Sequence, residues 1–499
     1  MPGHVHLYMI TCLRDISYVN GQQGQDLPLR CVFCGRKVVV VFEFLKYISR
    51  LNRSLLFLFI LLSCVSSVTG VSVRHKGSGP IGALTHATKG MYLERWKLKS
   101  PPADADCRKQ MQMSCYSPNE IRTAYGINTV LKAGYTGAGE TIVIVDSFGS
   151  PDPVKDLHQF DVDYGLPDPP SFKVLHPLGA VKFDANNTDQ VGWAQETNLD
   201  IQWAHVIAPG ANIVLLTSPV SETQGVQGLP EFLKLEQYAL NHHLGKIFSQ
   251  SWGATEETLF TPEGKKVLND FEKFYQQASK QGVTFLASAG DTGASNPDTN
   301  NNTYPFPTIG FPANSPLVTS VGGTSLFADT AGNYQSEMAW NQGVGSSTGG
   351  GYSRYYKAPY YQQKYLSAGA KSMARGFRGV PDVAFNGDPL TSVPVYLGFM
   401  PQPGYYMFGG TSAGAPQWAG LIADANQMAR HPLGSINETL YRIGSDPVLY
   451  ARAFNDITFG DNTQGKIKGY KAGAGWDAVT GWGTPKANIL LPLLVNPPK

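Results

Sequence analysis

Thr141-Ile142-Val143-Ile144-Val145, closed by Asp146, is the stretch whose reading decides the fold. A short β-branched run with no polar alternation is a strand buried on both faces, the habit of parallel sheets. Four more such runs follow: Ala211–Leu216 (ANIVLL), Lys246–Ser249 (KIFS), Val283–Ala287 (VTFLA) and Pro316–Val321 (PLVTSV). Between them, Val191–Ile207, Pro230–Leu244 and Gly264–Gln281 carry apolar residues at helical spacing. Strand and helix in alternation predict an α/β fold, a doubly wound and mostly parallel sheet with helices on both faces. No tandem repeat or long linker interrupts the region, so one large domain is expected over 117–499.

Composition separates that domain from what precedes it. The chain has 499 residues, 42% hydrophobic and 16% charged, which excludes disorder. A net charge of +2 gives no electrostatic case for a nucleic-acid partner. Up to position 116 there are 15 basic and 6 acidic residues, and beyond it 25 basic and 32 acidic. Leu55–Leu62 (LLFLFILL) follows Lys46, Arg50 and Arg53 and leads into the small residues 63–70, the layout of an export signal. The run is too short to span a bilayer, so export without stable membrane insertion is expected, with a lipid anchor at Cys64 as the minor alternative. Residues 1–54 read as an N-terminal extension from a mis-assigned start, and 71–116 as a short pro-segment or linker. Cys31 and Cys34 (CVFC) nominally suggest a redox or zinc pair, but they fall in the extension and no second pair follows, so they carry little functional weight. Cys107 and Cys115 remain for the exported product, with a disulfide as the natural reading and two free thiols as the alternative.

Gly410-Thr411-Ser412-Ala413-Gly414-Ala415-Pro416 sets a serine among small residues ahead of the helical run Gln417–Arg430, with Pro416 suited to a first turn. The commoner fate of such a serine is to cap the helix. The alternative is a nucleophile beside free helix N–H groups that suit an oxyanion. A serine nucleophile needs a base. None of the ten histidines is followed by glycine, and His205, in Trp203-Ala204-His205-Val206-Ile207, has the surroundings of a structural residue. Glu196 and Asp200 lie four apart in one helical stretch, hence on one face, which Trp203 and Ile207 continue inward. Two acids on an apolar face share a proton, and one pKa rises. Asp291, in Ser288-Ala289-Gly290-Asp291-Thr292-Gly293, follows a strand directly, where active sites of such sheets collect, although this string alone is more often a turn.

The string GTSAGAP resembles the nucleophile motif of the subtilisin-like serine peptidases and their acid-acting relatives. The ordered set from Ser117 (SPNEIRTAYGI), through Ser249-Gln250-Ser251-Trp252-Gly253, Phe311-Pro312-Ala313, Val321-Gly322-Gly323-Thr324 and Pro381-Asp382-Val383-Ala384, resembles the sedolisin family of serine-carboxyl peptidases to about Leu494. The resemblance implies a subtilisin-like fold and a secreted endopeptidase that acts on protein or peptide substrates as a monomer in acid. It implies Ser412 as nucleophile, Glu196 as base, Asp200 as the acid that orients the base, and Asp291 in the oxyanion hole. Acid suits these roles: an imidazole near pKa 6.5 is protonated below about pH 5, whereas a carboxyl near 4.3 still accepts a proton. Substrate is expected to lie extended beside Ser251, Trp252 and Gly253. Phe454-Asn455-Asp456-Ile457 and Gly473-Ala474-Gly475-Trp476-Asp477 resemble the family's calcium loops, implying one structural Ca²⁺ held by Asp456 and Asp477 and by the carbonyls of Ile457, Gly473 and Gly475. Two rivals stand beside this reading: a subtilisin-type triad of Ser412, His205 and Asp146, and a secreted binding protein that has lost activity. Family precursors commonly carry a large prodomain, and about 46 residues separate the signal-like segment from Ser117.

Overall fold

The computed structural model describes residues 100–343 and 345–497, together with the backbone of the short strands Val32–Phe33, Arg36–Lys37 and Tyr92–Leu98. The signal-like segment 55–70, Cys31 and Cys34 lie outside the described residues. The chain divides into two compact units, Met1–Pro80 and Ile81–Lys499. In the first, Val32–Phe33 pairs antiparallel with Arg36–Lys37.

The second unit is built on an eight-stranded sheet: β1 (Thr141–Ser147), β2 (Phe172–Leu175), β3 (Asn212–Ser218), β4 (Ile247–Gln250), β5 (Thr284–Ser288), β6 (Val318–Ala328), β7 (Tyr334–Ala339) and β8 (Val383–Asn386). The spatial order is β7-β6-β5-β4-β1-β3-β2, with β8 also paired to β6. Every pairing is parallel except that of β7 with β6. Register is continuous from Thr141↔Asn212 to Ser147↔Ser218 between β1 and β3.

Burial on both faces explains the unbroken apolar strands. Ile142, Ile144, Ile213, Leu215, Ile247 and Leu286 enter one core with the long helices α1 (Thr188–Ile207) and α4 (Thr411–Ala429). Val143, Val145, Val214, Leu216, Phe248 and Phe285 enter a second core under α2 (Leu229–Asn241) and α3 (Pro262–Ser279). The strand order reverses at the β1/β4 pair, with β3 and β2 on one side and β5 and β6 on the other, and the crevice at the C-terminal ends of that pair is where doubly wound sheets bind ligands.

α4 lies close to its neighbours because two of its residues lack a side chain. A Cβ on Gly414 would stand 2.9 Å from Val321 Cγ1, and one on Gly420 would stand 2.6 Å from Ile207 Cβ on α1. The folded body starts upstream of Ser117, where the sequence set its boundary. Helix Asp104–Met111 and strand Ser114–Cys115 pack on it, Ser114 pairs with Thr391, and Tyr116 donates to the Leu326 carbonyl at 3.0 Å. Cys107 and Cys115 are joined in a disulfide with their Cα atoms 6.1 Å apart.

Candidate active site

Ser412 is the second residue of α4 and is fully buried, so it does not take the N-cap role its sequence context favours. The cap position belongs to Gly410, whose φ of +104° suits glycine and whose missing side chain leaves the first helical N–H unserved. Asp291 serves it from the end of β5: its Oδ1 accepts from Thr411 N at 2.7 Å and from Thr411 Oγ1 at 2.8 Å. Pro416 is corrected by the structure. It lies inside the helix rather than in its first turn, because α4 begins at Thr411. A proline there has no N–H for the carbonyl four residues back, which is that of Ser412. The hydroxyl of Ser251 stands 3.5 Å from that carbonyl.

The same hydroxyl donates to Asp200 Oδ1 at 2.8 Å, so Ser251, just past the end of β4, ties the acid on α1 to the start of α4. Glu196 and Asp200 are both buried, on a stretch of α1 that is enclosed on all sides from Trp193 to Ile207. Asp146, at the end of β1, is the neighbour that sequence reasoning missed in this role. Its only sequence assignment was to the histidine-type triad, yet it faces Asp200, and its Oδ2 accepts from Thr197 Oγ1 at 3.0 Å. The signal was present in its position at the C-terminal end of the first strand, but its partner emerges only once α1 is laid on the sheet.

Burial holds Asp146, Asp200 and Asp291 protonated well above the usual range. Asp146 and Asp291 are each pushed up to about 7, in both cases chiefly by desolvation and against the hydrogen bonds they accept. Asp200 is raised well above the ordinary value by desolvation first, then by the neighbouring Asp146 and Glu196. Asp291 Oδ2 is buried with no hydrogen-bond partner among the described residues, which leaves a protonated Asp291 one O–H to offer.

His205 is nine residues along α1 from Glu196, about 13 Å along the axis and half a turn around it. Its Nε2 is 2.7 Å from the Pro167 carbonyl and 3.4 Å from Asp161 Oδ2. Burial pushes His205 down to about 4 and Asp161 up to about 8, so across that range their approach is one between neutral groups. The histidine-type triad thus lacks a shared location: Asp146 keeps company with Asp200, and His205 sits at the far end of the helix.

The side chains of the expected substrate segment are committed elsewhere. Trp252 packs in the second core, its ring 4.6 Å from that of Phe232, and a Cβ on Gly253 would stand 2.5 Å from the Phe311 carbonyl oxygen. Any pairing of substrate with Ser251–Gly253 therefore rests on main chain.

The two implied calcium loops meet. Gly475 N–H, at a residue with φ of +76°, points at the Asp456 carboxylate from 3.2 Å, and Gly473 N–H donates to Asp477 Oδ2 at 3.0 Å. Asp477 is buried and is pushed up to about 7 by desolvation, against the hydrogen bonds it accepts from Gly473, Thr480 and Val479. The contacts between the two loops run from main-chain N–H groups to the two carboxylates, and carboxylate and main-chain oxygens are the donor type that suits a hard cation such as Ca²⁺. Among the described residues no three or more His, Cys, Asp and Glu gather to hold a metal, so such an ion would depend on main-chain oxygens for much of its shell.

The raised carboxyls make stability depend on pH. Asp146, Glu257, Asp291 and Glu337 are raised to about 7, Asp156 to about 6 and Asp161 to about 8, each chiefly by burial. A carboxyl that binds its proton more tightly in the fold contributes fully below its ordinary value near 4, and that contribution is lost as pH rises through the folded value. His205 works in the opposite sense and is outnumbered by the raised carboxyls. Thermal unfolding is expected at its highest temperature near pH 4 and progressively lower from pH 6 to 8; a Tm that rises over that interval contradicts an interior of protonated acids.

The subtilase family matches residues 183–441. Kumamolisin of Bacillus sp. (strain MN-32) is 34% identical over 393 residues, covering 77% of this chain and 64% of that protein. Sedolisin of Pseudomonas sp. (strain 101) is 31% identical over 380 residues, covering 74% and 59%, and tripeptidyl-peptidase 1 of Homo sapiens is 31% identical over 319 residues, covering 60% and 52%. The chain thus spans between half and two thirds of the length of these curated relatives. A solved structure of Pseudomonas sedolisin, complexed with two molecules of pseudo-iodotyrostatin, superposes with a TM-score of 0.65 at 28% identity, over 77% of this chain and 99% of that one. With its parallel sheet, its buried acids and a serine opening α4, the chain belongs to the sedolisin family of the subtilases.

Proposed function

We propose that the protein is a secreted serine-carboxyl endopeptidase that hydrolyses proteins and peptides in acid, as a monomer and without a nucleic-acid partner. Ser412 Oγ attacks the scissile carbonyl as Glu196 takes its proton, and Asp200 orients Glu196. Asp291 donates from Oδ2 to the oxyanion, joined by the backbone N–H of Ser412. Glu196 then returns the proton to the leaving amine, and water releases the acyl-enzyme by the same route in reverse. The observation that carries this reading is the Ser251 hydroxyl, held between Asp200 on α1 and the Ser412 carbonyl on α4, which brings the acids of one helix to the first turn of the other. The raised pKa of Asp291 supports its part, since only the neutral acid can donate. Export is supported by the apolar run 55–62, and among the described residues no helix is long and apolar enough to cross a membrane.

Digestion of denatured casein from pH 3 to 8, with the products sized by mass spectrometry, tests the reading. Internal cleavage below pH 5 is expected. Release of tripeptides alone from chain ends would replace the endopeptidase assignment, and no cleavage at any pH would favour the binding-protein rival.

One Ca²⁺ on Asp456, Ile457, Gly473, Gly475 and Asp477 is proposed as a structural ion that locks the two loops together when bound. At a hundredfold excess over its Kd such an ion stabilises the fold by about 2.7 kcal/mol. Adding EGTA at pH 6 is expected to lower Tm by several degrees and Asp456→Asn to reproduce the loss; a Tm insensitive to both rules the ion out.

A further inference from the structure

We infer that Thr411 is a positioning residue for the oxyanion aspartate, fixing the Asp291 proton on Oδ2, the oxygen that faces the reacting carbonyl. The inference rests on the proposed role of Asp291 and deepens it.

A neutral carboxyl has one O–H and one carbonyl oxygen, and it is useful in an oxyanion hole only when the O–H is the one turned to substrate. Three hydrogen bonds around Thr411 decide which oxygen that is. Its main-chain N–H donates to Asp291 Oδ1 at 2.7 Å. Its hydroxyl accepts from Gly290 N at 3.0 Å and stands 2.8 Å from the same Oδ1. With its acceptor side turned to Gly290, the hydroxyl has a single proton to give, and Asp291 Oδ1 is the acceptor within reach. Two donors converge on Oδ1, and a proton there would oppose both. It therefore sits on Oδ2, the oxygen with no hydrogen-bond partner among the described residues.

The arrangement is closed on itself, since Gly290 precedes Asp291 and Thr411 precedes Ser412. One threonine therefore sets the orientation of the oxyanion donor relative to the nucleophile. It also bears on titration. Both hydrogen bonds from Thr411 favour the charged carboxylate and partly offset the desolvation that raises Asp291 to about 7. The titratable groups on the surrounding elements are Glu196 and Asp200 on α1, Asp146 at the end of β1, Asp388 on the loop after β8 that packs against Gly409, and Asp461 on the segment whose Asn462 carbonyl accepts from Ala294 N. None of them is among the causes of the Asp291 shift. Removing the hydroxyl removes a hydrogen bond that favours ionisation, so the pKa of Asp291 moves up, not down.

The test measures kcat and KM from pH 3 to 8 on one fluorogenic peptide, using full-length wild type, Asp291→Asn, Thr411→Val and Thr411→Ser, each checked for folding by thermal melting. Thr411→Val is expected to lower kcat roughly tenfold, a fraction of what losing the oxyanion donor itself costs. KM is expected to change less than twofold, and the basic limb of the profile to move to higher pH. Thr411→Ser, which restores the hydroxyl, is expected to restore kcat and the position of the limb. Should Thr411→Val fail to fold, Thr411→Ala carries the same expectation. A limb at the wild-type position in the Val or Ala variant, or a Ser variant that rescues neither quantity, overturns the inference. Asp291→Asn separates this from failure of the functional reading: loss of the basic limb in that variant upholds Asp291 as the titrating donor, whereas a limb left in place removes the reading and the inference together.

Discussion

Glu196→Gln is expected to lower kcat by roughly 10⁴-fold, the scale on which acyl-transfer sites respond to losing a proton-handling member, with KM little changed. The amide keeps the shape and one hydrogen-bonding oxygen but cannot accept the Ser412 proton. His205→Ala gives the contrasting result, activity within about threefold of wild type below the melting temperature. What that substitution removes is a hydrogen bond to the Pro167 carbonyl at the far end of α1, together with buried ring volume. Its cost falls on stability, about 1–3 kcal/mol for a buried acceptor left without its donor, with more for the cavity. Steady-state rates at pH 4, with Tm measured alongside, separate the two effects. Full activity in Glu196→Gln with loss in His205→Ala reverses the assignment of the base.

Ser412→Ala is the larger effect, a drop of roughly 10⁶-fold in kcat, because the acids on α1 have no covalent partner once the hydroxyl is gone. The methyl group fits the same buried space, so the fold and Tm are expected to hold. Substrate affinity measured by equilibrium binding is expected to stay near that of wild type. A serine-directed phosphonate is expected to add one covalent adduct to wild type, at position 412, and none to the variant. Cleavage that survives Ser412→Ala identifies a different nucleophile or a contaminating peptidase, and equal inactivity of wild type and variant identifies the protein as a binding relic.

Much of this architecture was legible in the chain, and the exceptions share a physical cause. The strands at Thr141, Ala211, Lys246, Val283 and Pro316 are apolar without alternation because both faces are covered, and each stands within two residues of its expected start. Phe172–Leu175 (FKVL) and Tyr334–Ala339 (YQSEMA) lie at the two ends of the strand order, where partial exposure leaves no apolar run to read. The sequence places the start of α4 late because Pro416 suits a first turn, which puts the helix beyond the small residues 411–415. What begins the helix at Thr411 is a cap from Asp291, 120 residues away, which no local pattern contains.

The acids on α1 were legible by spacing, since i and i+4 fix a shared face whatever the tertiary context. The third acid, Asp146, was not, because its nearness to Asp200 is created by laying α1 on the sheet. Asp382 illustrates the opposite case. It belongs to one of the sequence blocks that mark the family, yet its carboxylate is engaged by Arg378, at 2.8 and 2.5 Å, and by Ser320 N at 2.8 Å, holding β8 against β6. A motif residue can serve the scaffold alone.

The central claim is that a carboxylate deprotonates the nucleophile, and the pH dependence of wild-type kcat/KM reports the free enzyme's essential base and acid. On a short peptide, an acid limb from protonation of the base's carboxyl is expected, with a plateau above it and a decline near pH 7 as Asp291 ionises. A rate that is negligible at pH 4.5 and climbs through 6.5, the signature of an imidazole losing its proton, contradicts the account.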